Sequence, residues 1–344
     1  MRKRLKEYRT TLREALLGWL WGQWTTLGLP GASSVEERRM IDPEALLLFT
    51  GTLGRWDPRL FDEVLDWLVV NGRFINGARL KRMLRAYEFR SGRVLAAVSS
   101  ILSRSDRHLD WRFEPAAPTP EEFLFFGKDG GPLPAYGKQD PWFAGLGFRR
   151  GRFELRGHCA SFNPSRPPCL WLTLRSLVGI SSRVEILVYL LCNEQGYPSR
   201  IARDTGHSQR SVQDSMVDMA ASGQLHVVRK GREVQYRLAS ILWRKIFFGA
   251  LDAPEWLLWP PIFRAIEIVH LDLHGETLFT LSEQGMISEL FMLMERVRPL
   301  IELAGLSHLL SPRRSGLGDD YFSTFRRDLS NVLLHLGVTG KLRP

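Results

Sequence analysis

Residues Ser181–Leu238 read SSRVEILVYLLCNEQGYPSRIARDTGHSQRSVQDSMVDMAASGQLHVVRKGREVQYRL. Val184, Ile186, Leu187, Leu190 and Leu191 recur at helical spacing, which predicts a helix from Ser182 to about Cys192. Asn193–Gly196 stop it, and Pro198 or Ser199 opens a short second helix carrying Ile201 and Ala202 inward. Thr205-Gly206 ends that helix, because glycine tolerates the left-handed backbone of a tight turn. Ser208 caps a third helix over about Gln209–Ala221, with Val212, Met216 and Met219 toward the core. After Gly223, Leu225–Val228 and Val234–Leu238 read as paired strands around Arg229, Lys230, Gly231 and Arg232.

This order of elements resembles the winged-helix domains of bacterial regulators of the ArsR and MarR type. The resemblance is carried by Ile201-Ala202, Ser208, Val212, Met219, Ser222-Gly223-Gln224-Leu225, Gly231 and Tyr236-Arg237-Leu238, and it covers residues 181–238. It implies a mainly α fold in which a winged helix-turn-helix with a two-stranded wing is flanked by helical regions. It also implies duplex DNA as partner. In such proteins the start of the third helix enters the major groove. Gln209, Arg210 and Gln213 are the expected base readers, since Gln suits adenine and Arg suits guanine. Ser208, Ser211, Arg229, Lys230 and Arg232 are the expected phosphate contacts. Asp214 is unsuited to phosphate and is expected to orient Arg210, one turn earlier.

The chain has 344 residues, 47 Lys and Arg against 37 Asp and Glu, and a net charge of +10, which favours an acidic partner. With 44% hydrophobic residues it has the composition of a folded core. Arginine clusters occur near the N-terminus, over residues 73–93 and over residues 149–156. The expected division is a helical region at 1–110, a connector rich in Pro, Gly and aromatics at 111–180, the DNA-binding unit at 181–240 and a helical region at 241–344. The last would dimerise or bind a partner protein. Residues 57–87, a helix, an Asn-Gly turn and a basic helix, outline a second helix-turn-helix or a plain helical bundle. Trp142, Phe143, Phe148 and Phe153 among arginines suit either packing or single-stranded nucleic acid.

Three cysteines, Cys159, Cys169 and Cys192, form no CxxC pair and fit a reducing cytoplasm. His158, Cys159 and Cys169 make only three candidate metal ligands in a Pro-rich stretch, so no metal and no cofactor is expected. Residues 15–29 are apolar but short for a membrane span and are read as an amphipathic helix. No phosphate loop, dinucleotide fingerprint, HExxH or Ser-His-Asp set is legible, and no enzyme is expected. His270 with His274, and Asp319-Asp320, read as ordinary helix-end residues. The leading expectation is a sequence-specific transcriptional regulator, a repressor, acting as a homodimer. A second is an antitoxin whose winged helix autoregulates while the rest neutralises a partner toxin, suggested by the large helical flanks with Trp19, Trp21 and Trp24; a third is a replication or partition initiator, which needs a true second motif at 57–87.

Overall fold

A computed structural model describes residues 1–31, 38–105, 113, 120–231, 233–313 and 321–339. Among them the chain is mainly helical, with fourteen α-helices. The N-terminal region holds α1 (Arg2–Thr26), α2 (Pro43–Leu53), α3 (Pro58–Asn71), α4 (Gly77–Ala86) and α5 (Gly92–Ser105). Their starts follow local chemistry. The side chains of Asp42, Asp57 and Asn76 accept from the amides of Ala45, Leu60 and Arg79, and Pro43 and Pro58 occupy first helical positions. The connector contains β1 (Glu122–Phe123), α6 (Pro141–Ala144), β2 (Phe148–Arg149), which runs parallel to β1, and α7 (Leu170–Val178). Next come α8 (Ser182–Cys192), α9 (Pro198–Thr205), α10 (Gln209–Ala221) and the antiparallel hairpin β3 (Leu225–Lys230) and β4 (Glu233–Leu238). The chain continues through α11 (Leu242–Phe248), α12 (Trp259–His274), α13 (Glu283–Leu303) and α14 (Tyr321–His335).

The two helical flanks share one core. Leu5, Trp24, Phe49 and Trp67 from one side pack in the same cluster as Trp259, Phe263, Met294 and Phe325 from the other. Trp19 lies 5.6 Å from Phe263 and Phe49 stacks on Phe263 at 4.9 Å, ring centre to ring centre. The tryptophans expected at a partner surface are therefore internal. Trp19 and Trp24 are buried, Trp24 Nε1 donates to Thr50 Oγ1 (2.9 Å), and half-buried Trp21 donates to Asp57 Oδ2 (2.8 Å). The N-terminal apolar run thus packs its indoles against α2, α3 and α12, so Trp19 and Trp24 offer no exposed surface to a partner. No described helix is long and apolar enough to cross a membrane.

A second core cluster joins α7, α8, α9, α10 and the hairpin, from Trp171 and Leu174 through Ile186, Ile201, Val212 and Met216 to Tyr236. What fastens this unit to the helical body is a buried ionic network. Arg79 on α4 pairs with Asp42 (2.5 Å) and Glu44 (2.5 Å), and Arg175 on α7 pairs with Glu44 (2.5 Å) and Glu185 of α8 (2.7 Å). All five side chains are buried. The Trp171 indole donates to Glu185, and the Arg79 guanidinium lies 4.5 Å from the Trp171 ring centre. Arg79 Nε also donates to the Thr205 carbonyl (2.5 Å), so the network grips the end of α9. Burial opposes the charge on both arginines, but the surrounding carboxylates outweigh it and raise both pKa values.

The expected basic helix of a second DNA-binding motif is α4, and its Arg79 is wholly internal. Arg82 Nε donates to the Gly206 carbonyl (2.8 Å), so this edge of α4 faces the α9–α10 turn. The next described element is α5, not a hairpin. Helices α3 and α4 form as expected, and through Arg79 and Arg82 α4 serves as a mount for the α9–α10 turn.

Arg175→Met strands Glu44 and Glu185 without their shared cation and should cost about 3–5 kcal/mol in denaturant unfolding; a loss under about 1 kcal/mol would mean the network does not hold the unit. His207 lies within the α9–α10 turn, its amide donating to the Ala202 carbonyl (2.9 Å). Burial, then Arg79, Arg82 and Arg175, push its pKa down to about 3, against the opposing pull of Glu44. In the unfolded chain it would take up a proton near its ordinary value of about 6.5. The unfolded state thus binds more protons as pH falls from about 6.5 towards 3, and stability drops over that window. His274, pushed down to about 4, and His270 act in the same direction, whereas Glu267 and Asp62, raised by burial, act in the opposite one. The informative quantity is the difference between wild type and His207→Gln. The variant should lose one proton's share of the slope, at most about 1.4 kcal/mol per pH unit, and parallel stability–pH curves would refute it.

Candidate nucleic-acid interface

Helices α9 and α10 meet at a tight turn built by local chemistry. Gly206 closes α9 at φ +70°, a left-handed conformation that a Cβ would strain. The Ser208 side chain accepts from Ser211 N (3.2 Å) and starts α10. Val212, Met216 and Met219 then anchor the inner face, with Ser215 Oγ 2.7 Å from Ser182 Oγ on α8. Gly196, ahead of α9, exchanges two backbone hydrogen bonds with Tyr236 (3.0 and 2.8 Å) and ties the hairpin back to the helices. A Cβ there would lie 2.7 Å from the Tyr189 ring and 2.9 Å from Ile201 Cδ1, so any larger residue would have to displace those side chains.

The outer face of α10 is polar. Ser208, Gln209, Arg210 and Gln213 are exposed and Ser211 is half-buried. Arg210 Nε lies 3.9 Å from Asp214 Oδ2, the i,i+4 pairing expected, with Arg210 94% exposed and available to a partner. Farther along, Asp218 is engaged by Arg183 (2.8 Å). The start of α10 is thus the favourable end for an anion, where unpaired amides and the helix dipole point outward. Arg82 and Arg203 are exposed beside it, each linked to the turn region, Arg82 through the Gly206 carbonyl and Arg203 through Asp204 (2.8 Å). Sequence reasoning missed Arg82 because it comes from α4; only tertiary packing puts it beside Gly206.

The hairpin is longer than the alternation predicts. Lys230 pairs with Glu233, which draws Arg229 and Lys230 into β3. Arg229 is exposed, while Arg232 lies outside the described residues. Glu233 opens β4 opposite Lys230.

Much of the remaining arginine is consumed within the fold. Arg149 pairs with Glu121, Arg150 with Asp62 (2.8 Å) and Arg156 with Glu63 (3.5 Å). Arg150 lies over Phe143 (5.0 Å) and Phe153 (5.6 Å), and Arg55 and Arg93 lie over Phe148 (5.3 and 4.1 Å). Of the rings that could suit single-stranded nucleic acid, Phe143, Phe148 and Phe153 thus already carry the chain's own guanidinium groups. His270 and His274 sit 4.3 Å apart, ring centre to ring centre, on α12 beneath Trp56. Both are held neutral by burial. Burial, then Asp66 and Glu63, push the Cys159 thiol up to about 12, which leaves it a poor nucleophile. The Cys169 thiol donates to the Thr26 carbonyl (3.4 Å) and Cys159 to that of Glu63 (3.4 Å). Asp319-Asp320 lies outside the described residues.

No protein-family model, no curated protein and no solved structure matches the chain, so the polar start of α10 and the adjoining hairpin draw their functional reading from their own chemistry.

Proposed function

We propose that residues 181–238 are a winged helix-turn-helix and that the protein is a sequence-specific regulator of transcription, a repressor that binds duplex DNA. The observation that carries this reading is the division of α10. Its inner face is locked by Val212, Met216 and Met219, while Ser208, Gln209, Arg210 and Gln213 stand exposed at its positive end. In this reading Gln209, Arg210 and Gln213 meet base edges in the major groove. Ser208, Ser211, Arg229, Lys230 and Arg232 hold phosphates, joined by Arg82 from α4. The Ser208 oxygen caps α10, yet its hydroxyl proton is still available to a phosphate. Bound across a promoter, the protein would exclude the polymerase.

A homodimer is the second part of the proposal, and the segment after the hairpin favours it. Ile241, Leu242 and Ile246 are 70%, 59% and 71% exposed in and just before α11. A second copy covering this apolar edge would bring two α10 helices to the half-sites of an inverted repeat. Ile246→Glu should then halve the molar mass measured by light scattering; a wild-type monomer at all concentrations would refute the dimer.

DNA binding is tested by titrating the purified protein against its own upstream DNA, with random DNA as competitor and salt varied. Affinity should fall steeply with salt through counterion release. Arg210→Ala should cost about 1–3 kcal/mol at one base position, whereas Arg229→Ala should weaken all sequences alike and reduce the salt slope by about one. Equal affinity for upstream and random DNA, unchanged by either substitution, would overturn the reading.

A further inference from the structure

One group of side chains, its two carboxylates buried, plays no part in the proposed DNA-binding reading. Glu63 and Asp66 stand one turn apart on α3, and Cys159 reaches them from the connector. One carboxylate oxygen of Glu63, one of Asp66 and the Cys159 sulfur all lie within 4.8 Å of one another. Glu63 and Asp66 are 3% and 2% exposed. Asp66 has an explanation in the fold, since its oxygens accept from the amides of Arg156 (3.1 and 3.0 Å) and Gly157 (3.0 Å). Glu63 does not. Its Oε1 receives only a long contact from Arg156 (3.5 Å), and its Oε2 is buried with no hydrogen-bond partner. A buried carboxylate oxygen without a partner forfeits its hydration for no return. The same wall holds a second orphan acceptor: Asn71 donates to the Ala160 carbonyl (3.2 Å), while its buried Oδ1 has no hydrogen-bond partner. The local charge is also unbalanced, with Asp62, Glu63 and Asp66 facing two guanidinium groups, Arg150 and Arg156.

We propose that Glu63, Asp66 and Cys159 form a binding site for a borderline divalent cation of the zinc type. The donor set selects the ion. One sulfur with two carboxylate oxygens suits Zn²⁺, Co²⁺ or Fe²⁺, whereas Mg²⁺ and Ca²⁺ would have no use for the sulfur. As the metal–sulfur bond forms, the thiol proton leaves to solvent, and the ion gives the Glu63 carboxylate the counter-charge it lacks. The site clamps the 156–160 stretch of the connector onto α3. Sequence spacing suggests His158, Cys159 and Cys169 as the candidate ligands. The group of converging ligand atoms holds Cys159 alone of these three, with two carboxylates in place of the others.

The test is a titration of the full-length reduced protein with Co²⁺, followed by absorbance, with Zn²⁺ added afterwards. A thiolate-to-cobalt band should saturate at a single equivalent and disappear on adding Zn²⁺. It should be lost in Cys159→Ser, kept in Cys169→Ser and Cys192→Ser, and require at least about tenfold more Co²⁺ in Glu63→Gln. Absence of the band in the wild-type protein overturns the proposal without any variant, and so does a band that survives Cys159→Ser. Because the site is remote from Arg210 and Arg229 in its ligands and its readout, the result stands whether or not the protein binds DNA.

Discussion

The buried pairing of Arg79 and Arg175 with Asp42, Glu44 and Glu185 is the constraint on which the rest of the architecture depends. Five charges away from water are tolerable only when each finds a counter-charge and hydrogen bonds. Here the two guanidinium forks meet three carboxylates, the Trp171 indole donates to Glu185, and the Glu44 carboxylate accepts from Asn76 N (2.7 Å). Such a cluster forms only when α2, α4, α7 and α8 are all in place. It therefore contributes to the orientation of the 181–238 unit on the body, where apolar packing alone would permit many alternatives. Through the Thr205 carbonyl the same arginine that completes the cluster holds the turn from which α10 departs.

The chain's positive charge is divided between two tasks. Arg55, Arg79, Arg150 and Arg175 are held inside by carboxylates, carbonyls and aromatic faces, and their role is to join elements distant in sequence. Arg82, Arg203, Arg210 and Arg229 remain exposed around the start of α10 and the hairpin. A net charge of +10 predicts an acidic partner only weakly, because an internal arginine and an external one count alike in the total. What supports the DNA reading is the smaller, exposed group beside a helix N-terminus.

The contrast between α10 and Glu63–Asp66–Cys159 shows how local and tertiary information differ. Gly206, Ser208 and the Val212–Met216–Met219 stripe act within one or two helical turns, and the elements they imply stand where the alternation places them. Asp42, Asp57 and Asn76 likewise start their helices by bonds to amides three residues on. The hairpin strands were less legible at their tip, since Arg229 and Lys230 read as loop by composition but pair by register with Val234 and Glu233. The tryptophans of α1 were misleading for a related reason. An amphipathic helix announces that it has an apolar face without naming what covers that face, and here the cover is α12, more than 200 residues later.

By itself, then, the sequence determined the helices, their caps, the turn at Gly206 and the exposed polar face of α10, because these rest on hydrogen bonds and periodicities within a few residues. Tertiary structure decided which arginines are buried, that the two helical flanks make one core, that Arg82 stands beside Gly206, and that Cys159 meets Glu63 and Asp66. Those outcomes depend on contacts between residues far apart in the chain, 96 positions for Cys159 with Glu63, 124 for Arg82 with Gly206 and 131 for Arg175 with Glu44. No local pattern records such contacts, and burial then reassigns the same residue types from solvent to the interior.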